Sequence, residues 1–482
     1  MPGRLGAWTL GFVLVVAGCS PVTEDPRDDD LLGAVEKAAE WLRSTSIEVD
    51  SGEMSALRWP ADPLSDDGSD EESLYSTTPG VVLFFAEYAR FTGAQEDVDT
   101  ARRGAEWLLD DLSQRRTSGE GLYVGRAGLA LALLEVAELT GDERYGSAVD
   151  RFVAELAQTA ERGRDAAGRE IVTWSDTTDI ISGTAGTGLF LMDVHRRTGS
   201  EQAAELAVGA ALWLQAQAVE SGAEGERHLK WRVAADVEKL YPNFSHGTAG
   251  IAYFLAQASE LAGDTRDELL QTAIAGGHYL TSIADGGGDF CLVFHHEPGG
   301  EGLHYLSWCH GPAGTARLFY ALWTRTGDEE WREWMRRSGQ ALLDAGVPEQ
   351  QTPGFWNNVS QCCGTAGVLD FALSMETVLG EDAYRELAER SGRQLLAEAR
   401  SVDSGVNWPQ AENRTQPEVV VAQTGWMQGA AGMAGALLRL HAVASQEPVR
   451  RVRLPDDPYD FESEPDRAPV GSRPSRRRGP AL

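Results

Sequence analysis

The chain has 482 residues, of which 42% are hydrophobic, so its composition is sufficient for a large packed core. Its 42 Lys and Arg residues against 74 Asp and Glu residues give a formal net charge of −32 at pH 7. A surface this acidic repels phosphate backbones and anionic headgroups, which argues against a nucleic-acid-binding protein and against direct binding to anionic lipid.

The first 18 residues have the pattern of a bacterial lipoprotein signal peptide. Arg4 supplies a positive charge, residues 5–16 form an apolar run too short for a membrane span, and Val16-Ala17-Gly18-Cys19 resembles a lipobox. We therefore expect an exported protein of the cell envelope, anchored to a membrane by a lipid on Cys19. An ordinary cleaved signal with an incidental Cys is the alternative. Residues 19–30 are polar and acidic, and we expect them to form a tether.

A short sequence motif, which we call the phrase, recurs along the rest of the chain. It consists of a polar or thiol residue, then Gly-x-x-Gly, then an apolar run. The first of seven copies lacks its first glycine. The second glycines are Gly80, Gly128, Gly186, Gly250, Gly314, Gly367 and Gly432. One structural unit used seven times indicates a closed or stacked array rather than two or three separate domains.

Each phrase lies between two predicted helices. The helix before it carries an apolar stripe of period 3.6, and the helix after it is more apolar and rich in small residues. The amphipathic helices are predicted at 31–43, 100–112, 145–157, 203–218, 268–283, 331–345 and 384–399. The apolar helices are predicted at 81–88, 129–138, 187–197, 251–261, 315–325, 368–379 and 433–444. We expect the apolar set to form an inner ring and the amphipathic set an outer ring. The fold class is therefore all-α, an α/α toroid of seven helical hairpins over residues 31–445.

Two regions do not follow this repeat of helix, phrase and helix. Residues 284–304 are rich in glycine and hold Cys291, His295 and His296, which predicts a long loop near the mouth of the toroid that could act as a lid. Residues 446–482 are rich in Pro, Asp and Arg, and we expect a disordered tail there.

A toroid gathers all seven Gly-x-x-Gly turns at one end. Glycine permits positive φ and close approach of backbones, and the side chains just before the glycines are then expected to point into the mouth. This places Asp179, His246, Cys309, Cys362 and Cys363 near one another despite their separation in sequence.

Apart from Cys19, the cysteines of the chain are Cys291, Cys309, Cys362 and Cys363. Cys362 and Cys363 are adjacent, and a disulfide between neighbours is strained, so ligands to one metal explain the placement better than bridges do. Three thiolates with a fourth position open suit a zinc ion that receives a substrate thiolate. Buried free cysteines are the alternative.

The phrases Trp308-Cys309-His310-Gly311-Pro312-Ala313-Gly314 and Cys362-Cys363-Gly364-Thr365-Ala366-Gly367, with the seven repeats, resemble the lanthionine synthetase C-like family. The resemblance implies an α/α toroid and a Zn²⁺ ion that activates a peptide thiol. It also implies addition of that thiol to dehydroalanine or dehydrobutyrine, which forms a thioether. Cys309 and Cys362 match the first two zinc ligands, and Cys363 stands where the third is most often His.

The resemblance also implies His246 and Asp179 as the acid and base of the reaction, with their individual roles left open. Helix capping is the alternative for both residues. Trp308 and His310 are expected beside the metal. Bacterial cyclases often carry an Arg four residues before the first Cys ligand, and Tyr305 occupies that place here.

The leading hypothesis is a monomeric, zinc-dependent thiol-addition enzyme that acts on a peptide or a small thiol. One alternative is a zinc-stabilised envelope protein that binds peptides or thiols without turnover. Another is an α/α-toroid glycosidase with Asp176 and Asp179 as its carboxylate pair, which leaves the three cysteines unexplained. We interpret Cys291, His295 and His296 as loop residues rather than as a second metal site.

Overall fold

Two sets of α-helices alternate along the chain. The computed structural model describes residues 28–50, 55–65, 71–222, 225–286, 289–447 and 450–459. In these ranges the odd-numbered helices are α1 Asp28–Ser44, α3 Gln95–Gln114, α5 Glu143–Thr159, α7 Glu201–Ala216, α9 Arg266–Ile283, α11 Glu329–Asp344 and α13 Asp382–Glu398. The even-numbered helices are α2 Thr78–Thr92, α4 Arg126–Thr140, α6 Thr184–Thr198, α8 Thr248–Ala258, α10 Pro312–Thr326, α12 Thr365–Leu379 and α14 Ala430–Ser445.

The two sets form two concentric rings. The even-numbered helices are buried on nearly every side, as α2 is from Thr78 to Ala89, which requires apolar side chains all round. The odd-numbered helices bury one stripe each, as α5 does with Tyr145, Val149, Phe152 and Leu156. Helix α14 packs against both α1 and α2, which closes the ring. The predicted all-α toroid of seven hairpins is therefore confirmed.

A closed ring of backbone hydrogen bonds joins the seven turns at one end of the toroid. Its members are the residues five positions before each second glycine: Tyr75, Tyr123, Ile181, Ser245, Cys309, Cys362 and Met427. Each turn donates an N–H to the carbonyl of the next, at distances of 2.9–3.3 Å, with Ile180 donating in place of Ile181. The last bond runs from Met427 N–H to the Tyr75 carbonyl at 2.9 Å. The ring fixes the backbone of every turn relative to its two neighbours.

The second glycines are needed because each turn folds back onto the start of its inner helix. A Cβ on Gly314 would lie 2.0 Å from the Trp308 carbonyl oxygen, and one on Gly367 would lie 2.2 Å from that of Gln361. Neither glycine has a positive φ. Of the two expected reasons for these glycines, close backbone approach is the one that applies at both positions.

Four antiparallel β-hairpins, which the sequence did not predict, follow the outer helices α1, α5, α7 and α13. They pair β1 Ile47–Asp50 with β2 Ser55–Arg58, β3 Glu161–Arg164 with β4 Glu170–Thr173, β5 Val219–Ser221 with β6 His228–Lys230, and β7 Arg400–Val402 with β8 Gly405–Asn407. A Trp follows each second strand, and its indole N–H donates to a carbonyl near the end of the preceding outer helix. The pairs are Trp59 with Leu42, Trp174 with Leu156, Trp231 with Leu214 and Trp408 with Leu395, at 2.6–2.9 Å. The hairpins thus lead the chain from the outer ring to the mouth.

The C-terminal segment 450–459, which we call the strap, corrects the prediction of a disordered tail over 446–482. Val452, Asp456 and Tyr459 are buried in the strap. The Val452 N–H donates to Glu87 of α2 at 2.8 Å, and Tyr253 of α8 donates to the Pro455 carbonyl at 3.4 Å. The charged composition is compatible with burial because the inner ring supplies partners of opposite charge.

The predictions for the two ends of the chain concern mostly residues that the structure does not describe. The predicted signal peptide 1–18, Cys19 and the end of the tail, 460–482, lie outside them. Of the predicted tether 19–30, residues 28–30 form the start of α1. Over the residues that the structure describes, no helix is both long enough and apolar enough to cross a membrane.

Candidate metal centre and the cavity above it

The register of the repeat decides which side chains meet at the mouth. Besides the ring residues, the residues four positions before each second glycine lie at this end: Ser76, Val124, Ser182, His246, His310, Cys363 and Gln428. Ten residues from these two sets line one cavity of about 580 Å³: Tyr75, Val124, Ile181, Ser245, His246, Cys309, His310, Cys362, Cys363 and Gln428. Residues far apart in the sequence therefore share a site because they occupy equivalent places in their repeats.

Three thiols form a compact cluster at the base of this cavity. The Cys363 sulfur lies 3.1 Å from that of Cys309 and 3.3 Å from that of Cys362, and the three sulfurs all lie within 4.8 Å of one another. All three residues are buried and free of disulfides. Two sulfurs each about 2.3 Å from one zinc ion lie at most about 4.6 Å apart, so this donor set fits zinc. In the described part of the chain it is the only group of three or more possible metal-ligating residues.

The three thiols differ in their acidity. Burial raises the pKa of Cys309 well above 9, and hydrogen bonds with the two other thiols raise the pKa of Cys363 in the same direction. Burial also disfavours the Cys362 thiolate, but hydrogen bonds from Cys309, Cys363 and Tyr75 outweigh it and lower the pKa of Cys362 well below 9. In the cluster without a metal, the hydrogen bonds therefore favour the thiolate form at Cys362 over the thiolate forms of Cys309 and Cys363.

Tyr75 contacts this sulfur and was not predicted as a site residue. Its hydroxyl donates to Cys362 Sγ at 3.1 Å and accepts from Gln428 Nε2 at 2.9 Å. Tyr75 belongs to the degenerate first phrase, which lacks its first glycine, so the motif is weakest there. Its position five residues before Gly80, equivalent to Cys309 and Cys362, was the available signal.

His246 and Asp179 form a hydrogen-bonded pair beside the thiols. Asp179 Oδ2 lies 2.5 Å from His246 Nδ1, while Oδ1 accepts the backbone N–H groups of Ser182 and Gly183 at 2.9 Å each. Asp179 is fully buried, whereas the His246 side chain is 38% exposed and lines the cavity. Burial lowers the pKa of His246, but the hydrogen bond and charge of Asp179, with the charge of Cys362, outweigh it and raise the pKa above 6.5.

The imidazoles of His310 and His295 line the cavity next to each other, with ring centres 4.1 Å apart. Burial and the neighbouring imidazoles lower the pKa of His310 well below 6.5 and that of His295 to about 3, so both rings are neutral. His295 brings the predicted loop 284–304 into the wall of the cavity. Cys291 of the same loop is buried, and burial raises its pKa to about 12. Cys291, His295 and His296 form no ligand cluster among the described residues.

Trp308, the residue before Cys309, does not line the cavity. It is buried, and its indole N–H donates to Asp456 of the strap at 3.0 Å. Tyr305, at the place where bacterial cyclases often carry an Arg, lines the cavity and accepts a hydrogen bond from Arg414. Arg414 belongs to the loop 409–423 after β8, which forms one wall of the cavity and was not predicted. The cavity thus receives a guanidinium from a different part of the chain.

Together the fold and the site define an α/α toroid with a buried cysteine cluster that faces a cavity at one end. The sequence model of "Lanthionine synthetase C-like protein" matches residues 68–450. The chain therefore belongs to the lanthionine synthetase C-like family. No curated protein matches it.

Several solved structures match the chain, to different degrees. Nisin cyclase matches with a TM-score of 0.58 at 17% identity, over 87% of this chain and 95% of that one. A cellobiose 2-epimerase from Bacillus thermoamylovorans has a TM-score of 0.43 at 10% identity, over 67% of this chain and 89% of the other. A GH76 α-mannanase from Bacteroides thetaiotaomicron has a TM-score of 0.44 at 10% identity, over 87% and 99% respectively. The likeness to nisin cyclase shows a shared toroidal fold.

Proposed function

We propose that the protein is a zinc-dependent enzyme that adds the thiol of a cysteine, in a peptide or a small molecule, to a dehydroamino acid. The observation that carries this proposal is the meeting of a three-thiol cluster and a His–Asp pair at one cavity. Membership of the lanthionine synthetase C-like family supports it.

Cys309, Cys362 and Cys363 would hold the zinc. When bound there, zinc would keep a substrate thiol ionised near neutral pH while leaving its sulfur electron-rich. The substrate would reach the zinc from the cavity, because all three cysteines line it.

The chain's own acid–base group in this proposal is His246. In the addition, the thiolate sulfur bonds to the β-carbon, the π electrons of the C=C bond move toward the α-carbon and its carbonyl, and a proton is delivered to the α-carbon. His246 accepts the thiol proton and returns a proton to the α-carbon. Both Asp179 oxygens are occupied by three N–H donors, so Asp179 orients the imidazole and stabilises its charged form.

The test is an assay of the purified protein lacking residues 1–19 with a thiol and a dehydroalanine-containing peptide, read by mass spectrometry. We expect a product with the summed mass, one zinc per chain, and loss of product on chelation. Binding of peptide or thiol without any product would favour the non-catalytic binding protein instead.

This site does not provide the pair of carboxylates that a glycosidase would need from Asp176 and Asp179. Asp179 is buried and its oxygens are used by protein donors, while Asp176 is exposed and lies outside the cavity lining. A glycosidase needs two carboxyl groups that flank the scissile bond.

We also propose that the protein is exported and held at a membrane of the cell envelope by a lipid on Cys19. The pattern of residues 1–19 supports this placement. Metabolic labelling with a radioactive fatty acid tests it: label is expected in the parent and should be lost in Cys19→Ala. Equal label in both would contradict it.

A further inference from the structure

The hydroxyl of Tyr75 lies between an amide and a sulfur. It is 3.1 Å from Cys362 Sγ and 2.9 Å from Gln428 Nε2. Tyr75 is half-buried at the wall of the cavity, so this contact stands beside the space in which a substrate would react.

The direction of these hydrogen bonds is fixed by the residues around them. Gln428 Oε1 accepts from Gln410 Nε2 at 3.2 Å and from Asn358 Nδ2 at 3.4 Å, so the Gln428 amide group faces Tyr75 as a donor. A phenol has one hydrogen, and with Gln428 donating to its oxygen that hydrogen points at Cys362.

A three-thiolate site in an enzyme for dehydroamino acids has a chemical problem. Each of its own sulfurs is a nucleophile next to an electrophile. If Cys362 attacked, its sulfur would bond to the β-carbon, the α-carbon would take a proton from water or His246, and Cys362 would become a thioether. A thioether is a much weaker zinc ligand than a thiolate, so the site would be lost.

We propose that Tyr75 protects Cys362 from alkylation by the electrophilic substrate, so that the incoming thiol reacts in its place. The inference rests on the proposed function. A hydrogen bond donated to a thiolate withdraws electron density from the lone pair that would attack, and it must be broken before that lone pair can reach carbon. Gln428 acts through Tyr75 as a positioning residue.

The test uses iodoacetamide, which alkylates thiolates with loss of iodide and needs no enzymatic step. Zinc-loaded parent and Tyr75→Phe are treated for increasing times, and alkylation of each Cys is followed by peptide mass spectrometry with zinc content measured alongside. We expect Cys362 to react about tenfold faster in Tyr75→Phe, the order of effect of one lost charge-assisted hydrogen bond. Zinc content before treatment should be unchanged.

Tyr123→Phe is the matched control. Tyr123 occupies the equivalent ring position in the next repeat, but its hydroxyl donates to Asp456 at 2.9 Å and not to a sulfur. Its Cys362 rate should equal that of the parent. Gln428→Leu, which leaves Tyr75 in place without its orienting donor, should raise the Cys362 rate by a smaller factor.

The proposal is overturned by an unchanged Cys362 rate in Tyr75→Phe, by an equal rise in Tyr123→Phe, or by loss of zinc from Tyr75→Phe before treatment, which would give Tyr75 a structural role only. If Tyr75→Phe does not fold, an unchanged rate in Gln428→Leu overturns it. Since iodoacetamide alkylation requires no turnover, failure of the thiol-addition assay would overturn the proposed function and leave this result separate.

Discussion

Asp456 accepts a hydrogen bond of 3.0 Å from the indole of Trp308, the residue directly before Cys309 of the thiol cluster. The same carboxylate accepts from Tyr123 at 2.9 Å and from Arg317 at 2.9 Å. The strap lies inside the barrel, where it thus holds Trp308, the residue next to the proposed metal ligand Cys309.

Replacing Asp456 by Ala should destabilise the protein by about 3 kcal/mol, because it leaves the Arg317 guanidinium without its charge partner inside the barrel. Urea unfolding followed by circular dichroism measures this. Asp403→Ala, at an exposed position in the β7–β8 hairpin, is the control and should change little. A loss below about 1 kcal/mol in Asp456→Ala would show that the strap contributes little to the fold.

The Cys362→Ala/Cys363→Ala double variant should lower zinc from about one ion per chain to almost none, since one thiolate cannot hold the ion. Elemental analysis of the folded, reduced protein measures it. Cys291→Ala should keep its zinc, because Cys291 lies outside the cluster. Zinc-free parent, or zinc retained by the double variant, would remove the proposed metal centre.

His246→Asn should reduce the rate of thiol addition by about 10²–10⁴, the usual contribution of a general acid–base group, with zinc content unchanged. Asp179→Asn should reduce the rate too, because the amide disturbs the hydrogen bond that orients the imidazole. Product formation over time is the readout. His278→Asn on α9 controls for loss of a histidine elsewhere. An unaltered rate in both site variants would favour a binding protein.

Glu135 of α4 links three neighbouring inner helices. It lies 2.7 Å from Arg90 of α2 and also pairs with Arg197 of α6. Burial disfavours its charge, but Arg197 and Arg90 outweigh burial and lower its pKa below 4.5. A lowered folded-state pKa contributes stability above the unfolded value, and that stability is lost as the pH falls through the folded value.

Glu135→Gln should therefore cost about 3 kcal/mol at pH 7, because Arg90 loses its carboxylate partner and Arg197 keeps only Asp193 and Glu138. The difference between parent and variant should shrink as the pH falls below 4.5. Urea unfolding at a series of pH values measures it. A difference that stays constant over this range would assign the cost to packing rather than to charge.

Much of the fold could be predicted because its signals are local and repeated. Each inner helix follows its Gly-x-x-Gly phrase, and each outer helix has a stripe of period 3.6, so all fourteen helices of the described chain overlap their predicted ranges. The hairpins were missed because their strands have only three or four residues, and β3 and β7 are exposed along their whole length. The Trp after each second strand was the signal that could have found them.

The strap and part of the site depend on contacts that local composition does not reveal. Asp456 has a charge typical of a solvated tail, but its partner Arg317 is far away in the sequence. Tyr75 and Arg414 reach the site through ring closure and through a loop after β8. The cysteines were identifiable because their spacing follows the repeat, whereas the separate roles of His246 and Asp179 needed the hydrogen bonds of Asp179.

The closed ring of backbone hydrogen bonds also determines when, during folding, the thiol cluster can be completed. Cys362 donates its backbone N–H to Met427, and Met427 donates to Tyr75, so the ring joins the earliest turn to the last one. A chain that ends after α13 already carries all three thiols of the cluster but lacks the turn that completes the ring. The thiol cluster therefore takes its final backbone geometry only when the last turn has joined the ring, and until then its thiols are open to oxidation and to the wrong ion.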